Sequence, residues 1–298
     1  MVAAVVLTWN GREDTLACLA SLESAPDRPD AIVVVDNGSS DGTAEAVRER
    51  FPGVELLRSE ENLGFAGGNN LGLARARELG ADHVLVLNND AEVEAGAVRA
   101  LVEEAARRPD AGSLGSKILF ADPPGLIWFA GARFDPRSGY NGRQLGYREP
   151  DDGRFDAVSE TDRACGAAML VPRAVLDAVG GFDEGLFLYS EDVEWSLRAR
   201  RAGYRHYVVP ASVVRHHVSA AGGGEGSPLT LYYGVRNTLV VCERYAPLGP
   251  VGTWRRRLVL LGAHLVQALR SPRRTAGVRA VLSGFRDALR GRLGPRSI

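Results

Sequence analysis

Lysine is almost missing: Lys117 is the only one in 298 residues, so nearly all of the 36 basic side chains are arginines. That skew points to GC-rich coding and carries no information about fold. Cysteine is scarce as well. Cys18, Cys165 and Cys242 are odd in number, widely spaced and without a CxxC pair. A disulfide framework and a zinc knuckle are thereby excluded, and a reducing, cytoplasmic setting fits. Long apolar runs are lacking too. Leu258–Leu269 is interrupted by His264 and Gln267 and is too short to cross a bilayer. The opening run Val2–Leu7 is shorter still and follows no basic segment, so no secretory leader is expected. No GxxxxGK[ST] occurs, and Thr8-Trp9-Asn10-Gly11-Arg12 stands where a dinucleotide-binding chain has GxGxxG. Internal repeats and low-complexity tracts are absent.

What is present reads as a globular α/β chain. Hydrophobic residues at 45% and charged residues at 24% are enough for a sizeable core, and the length suits one large domain with or without an appendage. The net charge of −1 hides an asymmetry. From Arg244 onward twelve arginines face Asp287 alone, so this end carries +11 and the remainder −12.

Val2–Thr8, Ala31–Asp36 and Val54–Leu57 read as strands. Between them lie helical patterns, one with Leu16, Leu19 and Leu22 on one face, another containing Leu71, Leu73 and Leu79 after a glycine-rich loop. Strands recurring every 20–30 residues imply βαβ units and a largely parallel sheet. Val84–Leu87 is apolar throughout and reads as a central strand buried on both faces. It ends in Asn88-Asn89-Asp90, beyond the carboxyl end of a strand, where open α/β sheets bind ligands. There Asp90 suits a divalent cation and the two amides suit sugar or ribose hydroxyls. The alternative is that the triplet caps a following helix.

Taken together, VVLTWN, VVVDNGSSDG, ENLGFAGGNN and VLNND resemble, in order and spacing, the nucleotide-sugar half of glycosyltransferase family 2, which has the GT-A fold. The resemblance implies that Asp36 contacts the nucleobase, that Thr8, Trp9 and Asn10 line the base and ribose pocket, and that the loop with Asn62, Gly64 and Asn69 runs beside the donor. It implies that Asn88 and Asn89 lie at the donor and that Asp90 binds the metal on its diphosphate. Many relatives carry an acid–x–acid triplet here; Asn88 replaces the first acid, which leaves one carboxylate and puts more weight on the other ligands.

After Lys117–Phe120 the pattern becomes irregular, with a hairpin over Ile127–Phe134, an Asp135–Gly139 turn and a loop to Tyr147 expected to face the acceptor. From Cys165 to Arg205 a short strand Ala167–Val171 precedes a helix opened by Pro172. A second helix begins at Glu191-Asp192, acids that suit its dipole. The resemblance implies catalysis for this pair, with Asp192 as general base and Glu191 orienting or binding the acceptor. Beyond the strand Tyr204–Val209, His216 matches the family's metal-binding histidine and would join Asp90 on Mg²⁺ or Mn²⁺. Ser219–Ser227 is glycine-rich and suits closure over bound donor. Arg236, with Asn237, resembles an element near the diphosphate or acceptor; a structural hydrogen-bonding role fits equally.

The division expected is a catalytic domain over 1–246, with halves at 1–120 and 121–246, and a basic helical tail over 247–298. In the tail Val278, Val281, Leu282, Phe285 and Leu289 form one apolar face flanked by arginines. That face serves either a docked cap or an anchor to anionic lipid, while sparse aromatics and the lack of a recognition fold argue against nucleic acid. The resemblance implies an inverting, metal-dependent transferase taking sugar from a dTDP- or UDP-linked donor to a glycan or lipid-linked acceptor. The rhamnosyltransferase-like subgroup is nearest in appearance, so dTDP-rhamnose leads and UDP-galactofuranose stays open. A nucleotidylyltransferase lacks support because Thr8–Arg12 is not a basic phosphate loop, and a non-catalytic carbohydrate-binding protein would be expected to have lost Asp90 or Asp192.

Overall fold

The structure is a computed structural model; it describes all residues except 136–139, 219–225 and 297–298, and leaves out the side chains of 140–143. Most of the Asp135–Gly139 turn and of the Ser219–Ser227 stretch therefore lies outside the described residues.

Parallel strands β1 (Val2–Thr8), β2 (Ala31–Asp36), β3 (Glu55–Arg58) and β4 (His83–Asn88) alternate with helices α1 (Arg12–Ser24), α2 (Thr43–Arg50) and α3 (Gly64–Glu78). Successive residues of these strands point to opposite faces. Ala4, Val6, Ile32, Val34, Leu85 and Leu87 meet the Leu16-Leu19-Leu22 face of α1. Val5, Val33, Val35, Val84 and Val86 meet the layer containing α3. Burial on both faces is why these strands are near-continuous runs of Val, Ala and Leu.

The second half adds antiparallel strands to the parallel sheet. β5 (Ala91–Val93), α4 (Ala97–Arg107), β6 (Ala111–Phe120), β7 (Ile127–Phe129), β8 (Ala132–Asp135), β9 (Tyr140–Gln144), β10 (Ser159–Thr161) and β11 (Ala168–Pro172) follow in order. After them come α5 (Arg173–Val179), α6 (Glu191–Arg201), β12 (Arg205–His216) and α7 (Pro228–Tyr245). The strand order is β10-β12-β6-β11-β4-β1-β2-β3. β11 runs antiparallel between β4 and β6. β4 is thus central, and β5 rather than a helix follows Asp90, so the triplet is not a helix cap.

Two boundaries differ from the expectation for physical reasons. The glycine-rich loop before Leu71 is already helix: a Cβ on Gly68 would lie 2.3 Å from Leu7, and one on Gly72 2.2 Å from Val5, so glycine lets α3 lie close on β1. β12 runs seven residues past Val209, through a register shift, and makes His216 its last residue.

In the tail, α8 (Pro250–Arg270) and α9 (Arg274–Leu289) dock on α7. Val281 joins Leu231, Val235, Leu239, Leu260 and Ala268 in a buried cluster, with Val278 and Phe285 against it. Asp287, buried, accepts from Tyr232 Oη at 2.8 Å and pairs with Arg296. Most of the apolar face read on α9 is therefore spent inside the protein.

His206 ties β12 to β6 and α6. Ser113 Oγ donates to its Nδ1 at 2.7 Å and its Nε2–H donates to the Ser196 carbonyl at 2.9 Å, a pattern that needs neutral imidazole. Burial pulls its pKa down from 6.5 to about 4. As pH falls below 6.5 the unfolded chain takes up a proton that the folded one refuses. Stability from this group is thus whole above pH 6.5 and lost on the way to about 4, to the extent of about 3 kcal/mol. Urea denaturation along this window should show the decline, and His206→Gln should flatten it; an unchanged slope would count against the assignment.

Candidate active site

The carboxyl ends of β1, β2 and β4 meet in a knot of hydrogen bonds. Thr8 Oγ1 and Thr15 Oγ1 lie 2.8 Å apart, and Asn89 Nδ2 donates to Thr15 at 3.1 Å and reaches the Gly11 carbonyl at 3.4 Å. Thr8 and Asn89 thereby fix the turn that carries Trp9, whose ring stands 38% exposed at the rim. Asn10, at φ 51°, accepts from Ser40 N at 2.8 Å and so fastens the β1 turn to the β2 turn. Asn37 performs the next splice: it accepts from Leu63 N at 2.9 Å and donates to Asn62 Oδ1 at 3.1 Å. Asn62 in turn accepts from Gly64 N at 2.8 Å and starts α3.

Asp36 closes this wall. It is fully buried; Oδ1 accepts from Ser39 N at 3.0 Å, while Oδ2 has no hydrogen bond and lies 3.4 Å from Arg58 Nε. An ion-pair contact without a hydrogen bond leaves an acceptor position for a ligand N–H. Asn69 is buried in α3, donates to the Phe65 carbonyl at 3.0 Å and keeps Oδ1 unsatisfied.

At the end of β4, His216 Nε2 donates to Asp90 Oδ1 at 2.9 Å, and Asn88 Nδ2 lies 3.5 Å from the same nitrogen. Both His216 and Asp90 are buried, and the Trp128 ring stands edge-on to the imidazole at 4.5 Å. His216 Nδ1 is buried without a partner. Among the described residues no three His, Cys, Asp or Glu side chains form a cation site by themselves. Asp90 and His216 nevertheless fit a shared ion: two neighbouring octahedral ligands, each about 2.1 Å from the metal, stand about 3 Å apart. The remaining positions would fall to the ligand's oxygens and water.

The third group surrounds α6. Asp192 is half-buried, and its Oδ2 accepts from Arg163 Nη1 at 3.1 Å and Gly166 N at 3.2 Å. Glu191 is buried and its Oε2 has no partner; burial first, then the neighbouring Asp192 charge, raises its pKa well above the usual carboxyl range. The pair is therefore unequal: burial disfavours the charge on Glu191, and Asp192 is the member held against a guanidinium. Burial pushes the Cys165 thiol beside them up to about 11, so it is inert.

These groups are joined through the backbone. Asn88 N donates to the Ala167 carbonyl at 3.0 Å, one residue from the Gly166 amide that binds Asp192. On β7, Trp128 packs on His216 while the next residue, Phe129, lies under the Arg163 guanidinium at 5.2 Å. Unsatisfied buried atoms on Arg163, Glu191 and His216 therefore surround this junction of β4, β11 and β7, while those on Asp36 and Asn69 lie on the β2 and α3 wall. Each unmade hydrogen bond costs about 1–3 kcal/mol, and such atoms are what an incoming polar ligand satisfies.

Arg236 is placed differently from the diphosphate contact that the resemblance implied. It is 1% exposed and donates to the carbonyls of Leu186 at 2.8 Å and Gly294 at 2.7 Å, so its donors are spent on the backbone. Beside it, Asn237 Nδ2 meets the carbonyls of Leu186, Leu188 and Tyr189 at 2.9, 2.9 and 2.7 Å. The segment so gripped is strained: Phe187, Tyr189 and Ser190 have φ of 66°, 68° and 69° without being glycine. It leads directly into Glu191. Gly64 is needed opposite it, since a Cβ there would lie 2.3 Å from the Phe187 carbonyl oxygen.

Arg163, Trp128 and Asn37 were not singled out as site residues from the sequence. Arg163 sits 29 positions from Asp192 in an irregular stretch, and no spacing rule connects them. Asn37 was visible only as the neighbour of Asp36.

A buried acid beside a carboxylate held by arginine, next to a histidine–aspartate pair, stands at the carboxyl ends of the strands of an α/β sheet, where such sheets bind ligands. Residues 3–176 match the family described as Glycosyl transferase family 2. The N-acetylglucosaminyl-diphospho-decaprenol L-rhamnosyltransferase of Mycobacterium tuberculosis (strain ATCC 25618 / H37Rv) is 31% identical over 274 residues, 86% of this chain and 87% of that one. Galactofuranosyltransferase GlfT1 of Mycolicibacterium smegmatis is 30% identical over 68% of this chain and 66% of its own. Among solved structures, the mannosyltransferase PcManGT from Pyrobaculum calidifontis, in complex with GDP-Man and Mn²⁺, superposes with a TM-score of 0.58 at 19% identity, covering 97% of this chain and 86% of that one. The chain belongs to glycosyl transferase family 2. It is a glycosyltransferase, similar to the rhamnosyltransferase-like members.

Asn237→Ala should release the strained segment. Each positive-φ residue stores about 1–3 kcal/mol, and the Leu188 and Tyr189 carbonyls lose their side-chain donor while Leu186 keeps Arg236, so a loss of about 2–4 kcal/mol in urea denaturation is expected. Hydrogen exchange should quicken at residues 187–190; unchanged exchange there would show that the amide does not hold the segment.

Proposed function

We propose that this chain is an inverting, metal-dependent transferase that moves rhamnose from dTDP-rhamnose to a hydroxyl of a lipid-linked glycan. The carrying observation is the split carboxylate pair, with Asp192 on Arg163 and Glu191 buried with Oε2 unpartnered. Asp192 takes the proton from the acceptor hydroxyl as that oxygen attacks the anomeric carbon. The bond from that carbon to the diphosphate breaks with its electron pair, and a single displacement inverts the centre. Glu191, protonated, offers a hydrogen bond to the acceptor. Asp90 and His216 would hold Mg²⁺ or Mn²⁺, which when bound neutralises the leaving diphosphate. Asp36 Oδ2 suits the N3–H of thymine or uracil, so it does not separate dTDP from UDP donors. The rhamnosyltransferase relative favours dTDP-rhamnose, and the galactofuranosyltransferase relative supports a UDP-galactofuranose reading.

A lipid-linked acceptor would bring the protein to a membrane surface, and the basic C-terminal region is proposed as the part that meets it. No described helix is long and apolar enough to cross a membrane.

Thermal shift with dTDP-rhamnose, UDP-galactofuranose and their nucleotides, with and without Mn²⁺, tests donor and metal together, because ligands that bind the native state raise its apparent stability. His216→Ala should weaken Mn²⁺-dependent nucleotide binding; calorimetry showing it unchanged removes the histidine from the metal.

Asp192→Asn should cut turnover about 10²–10⁴-fold with donor affinity kept. Glu191→Gln, which imitates the neutral acid, should lose less and act mainly through acceptor KM. A neutral Glu191 helps at low pH and becomes a liability as pH rises, so the glutamine variant should also gain stability on the alkaline side. Near-normal turnover in Asp192→Asn with a dead Glu191→Gln would reverse the assignment.

A further inference from the structure

The apolar face expected to meet lipid lies on α9 and is mostly buried, so the question passes to α8. At 100° per residue Val251, Leu258 and Leu269 fall within about 20° of one line along that helix, with Trp254 and Val266 about 60° to either side. All five are exposed, Val251 by 83%, Leu258 by 62%, Leu269 by 56% and Trp254 by 53%. The stripe is about 27 Å long, and the helix beneath it is fixed through Leu260 and Ala268, which are buried on its opposite side.

Charge identifies the occupant. α8 contains no aspartate or glutamate. Arg255 lies within the stripe, and Arg270, Arg273 and Arg274 gather at its end; all four are exposed and none forms an ion pair among the described residues. A second copy seated on this face would bring two sets of arginines together with no carboxylate between them. An anionic bilayer surface supplies both requirements, acyl chains for the stripe and phosphates for the arginines.

We propose that the outward face of α8 is an interfacial helix that seats the protein on anionic lipid, with Val251, Trp254, Leu258 and Leu269 entering the headgroup–acyl boundary and Arg255, Arg270, Arg273 and Arg274 meeting phosphate. This deepens the lipid-linked-acceptor reading and rests on it only for its purpose, because the face itself is independent of the reaction.

The test is co-sedimentation of the full chain with phosphatidylcholine vesicles containing about one third phosphatidylglycerol, compared with phosphatidylcholine alone. Binding to the anionic vesicles, weakened by high salt, is expected. Lipids brominated along the upper acyl chain should quench tryptophan emission in the wild type and much less in Trp254→Phe. Trp254→Glu/Leu258→Glu should bind at least tenfold more weakly with Tm and nucleotide binding unchanged, both positions being on the surface. Absence of binding at low salt, or undiminished binding by the double variant, overturns the proposal. So does a dimer in sedimentation velocity that the double variant dissolves, which would assign the face to a second copy. These vesicles carry no glycan, so binding is read apart from transfer; a chain that binds them but, in a separate assay, moves no rhamnose from dTDP-rhamnose to a lipid-linked glycan sinks the proposed reaction and leaves this face standing.

Discussion

The amide of Asn237 and the guanidinium of Arg236 hold together a backbone segment that would not keep its shape alone. Three residues with positive φ in a four-residue span are a liability of several kcal/mol, and they persist only where surrounding contacts over-determine them. Here the contacts come from α7 below, from Ala66 N on the Phe187 carbonyl, and from the glycine at 64 that lets Phe187 approach α3. The result is an α6 whose first two residues enter the site at one orientation. That orientation sets the Asp192 carboxylate on Arg163 and Gly166 and leaves Glu191 buried.

From this clamp the division of labour in the sheet follows. The parallel half offers strand ends and asparagine-spliced turns, which suit a planar base and a ribose. The antiparallel insertion of β11 brings Gly166 and Ala167 beside the end of β4, so one short loop touches both Asn88 and the Asp192 carboxylate. β7 repeats the connection with two consecutive aromatic residues. The histidine–aspartate pair and the carboxylate pair thus belong to one rigid body.

Much of the first half was legible in the sequence because parallel strands buried on both faces advertise themselves: Val2–Thr8 and Ala31–Asp36 were readable to the residue. The helix start at Gly64 was not, since glycine reads as loop and its use here, to let a helix touch a strand, is visible only in three dimensions. His216 was found through its block but its strand was drawn too short, because a register shift interrupts the alternation between Val209 and Val213. Arg163 could not be found at all: a single arginine in an arginine-rich chain carries no signal. Arg236 is the opposite case, read equally as a ligand contact and as a structural hydrogen bonder. A charged residue in a recognisable block invites a ligand, whereas this one has its nitrogens occupied by carbonyls.

The hydrogen bond from Gly294 N to the Gly185 carbonyl, 2.7 Å, joins two stretches remote in the chain. Gly185 opens the segment that leads to Glu191, and Arg236 grips both the Gly294 carbonyl and that of Leu186. The segment ahead of α6 and the stretch after α9 therefore share one anchor, so loosening either end of this clasp would be felt at the other.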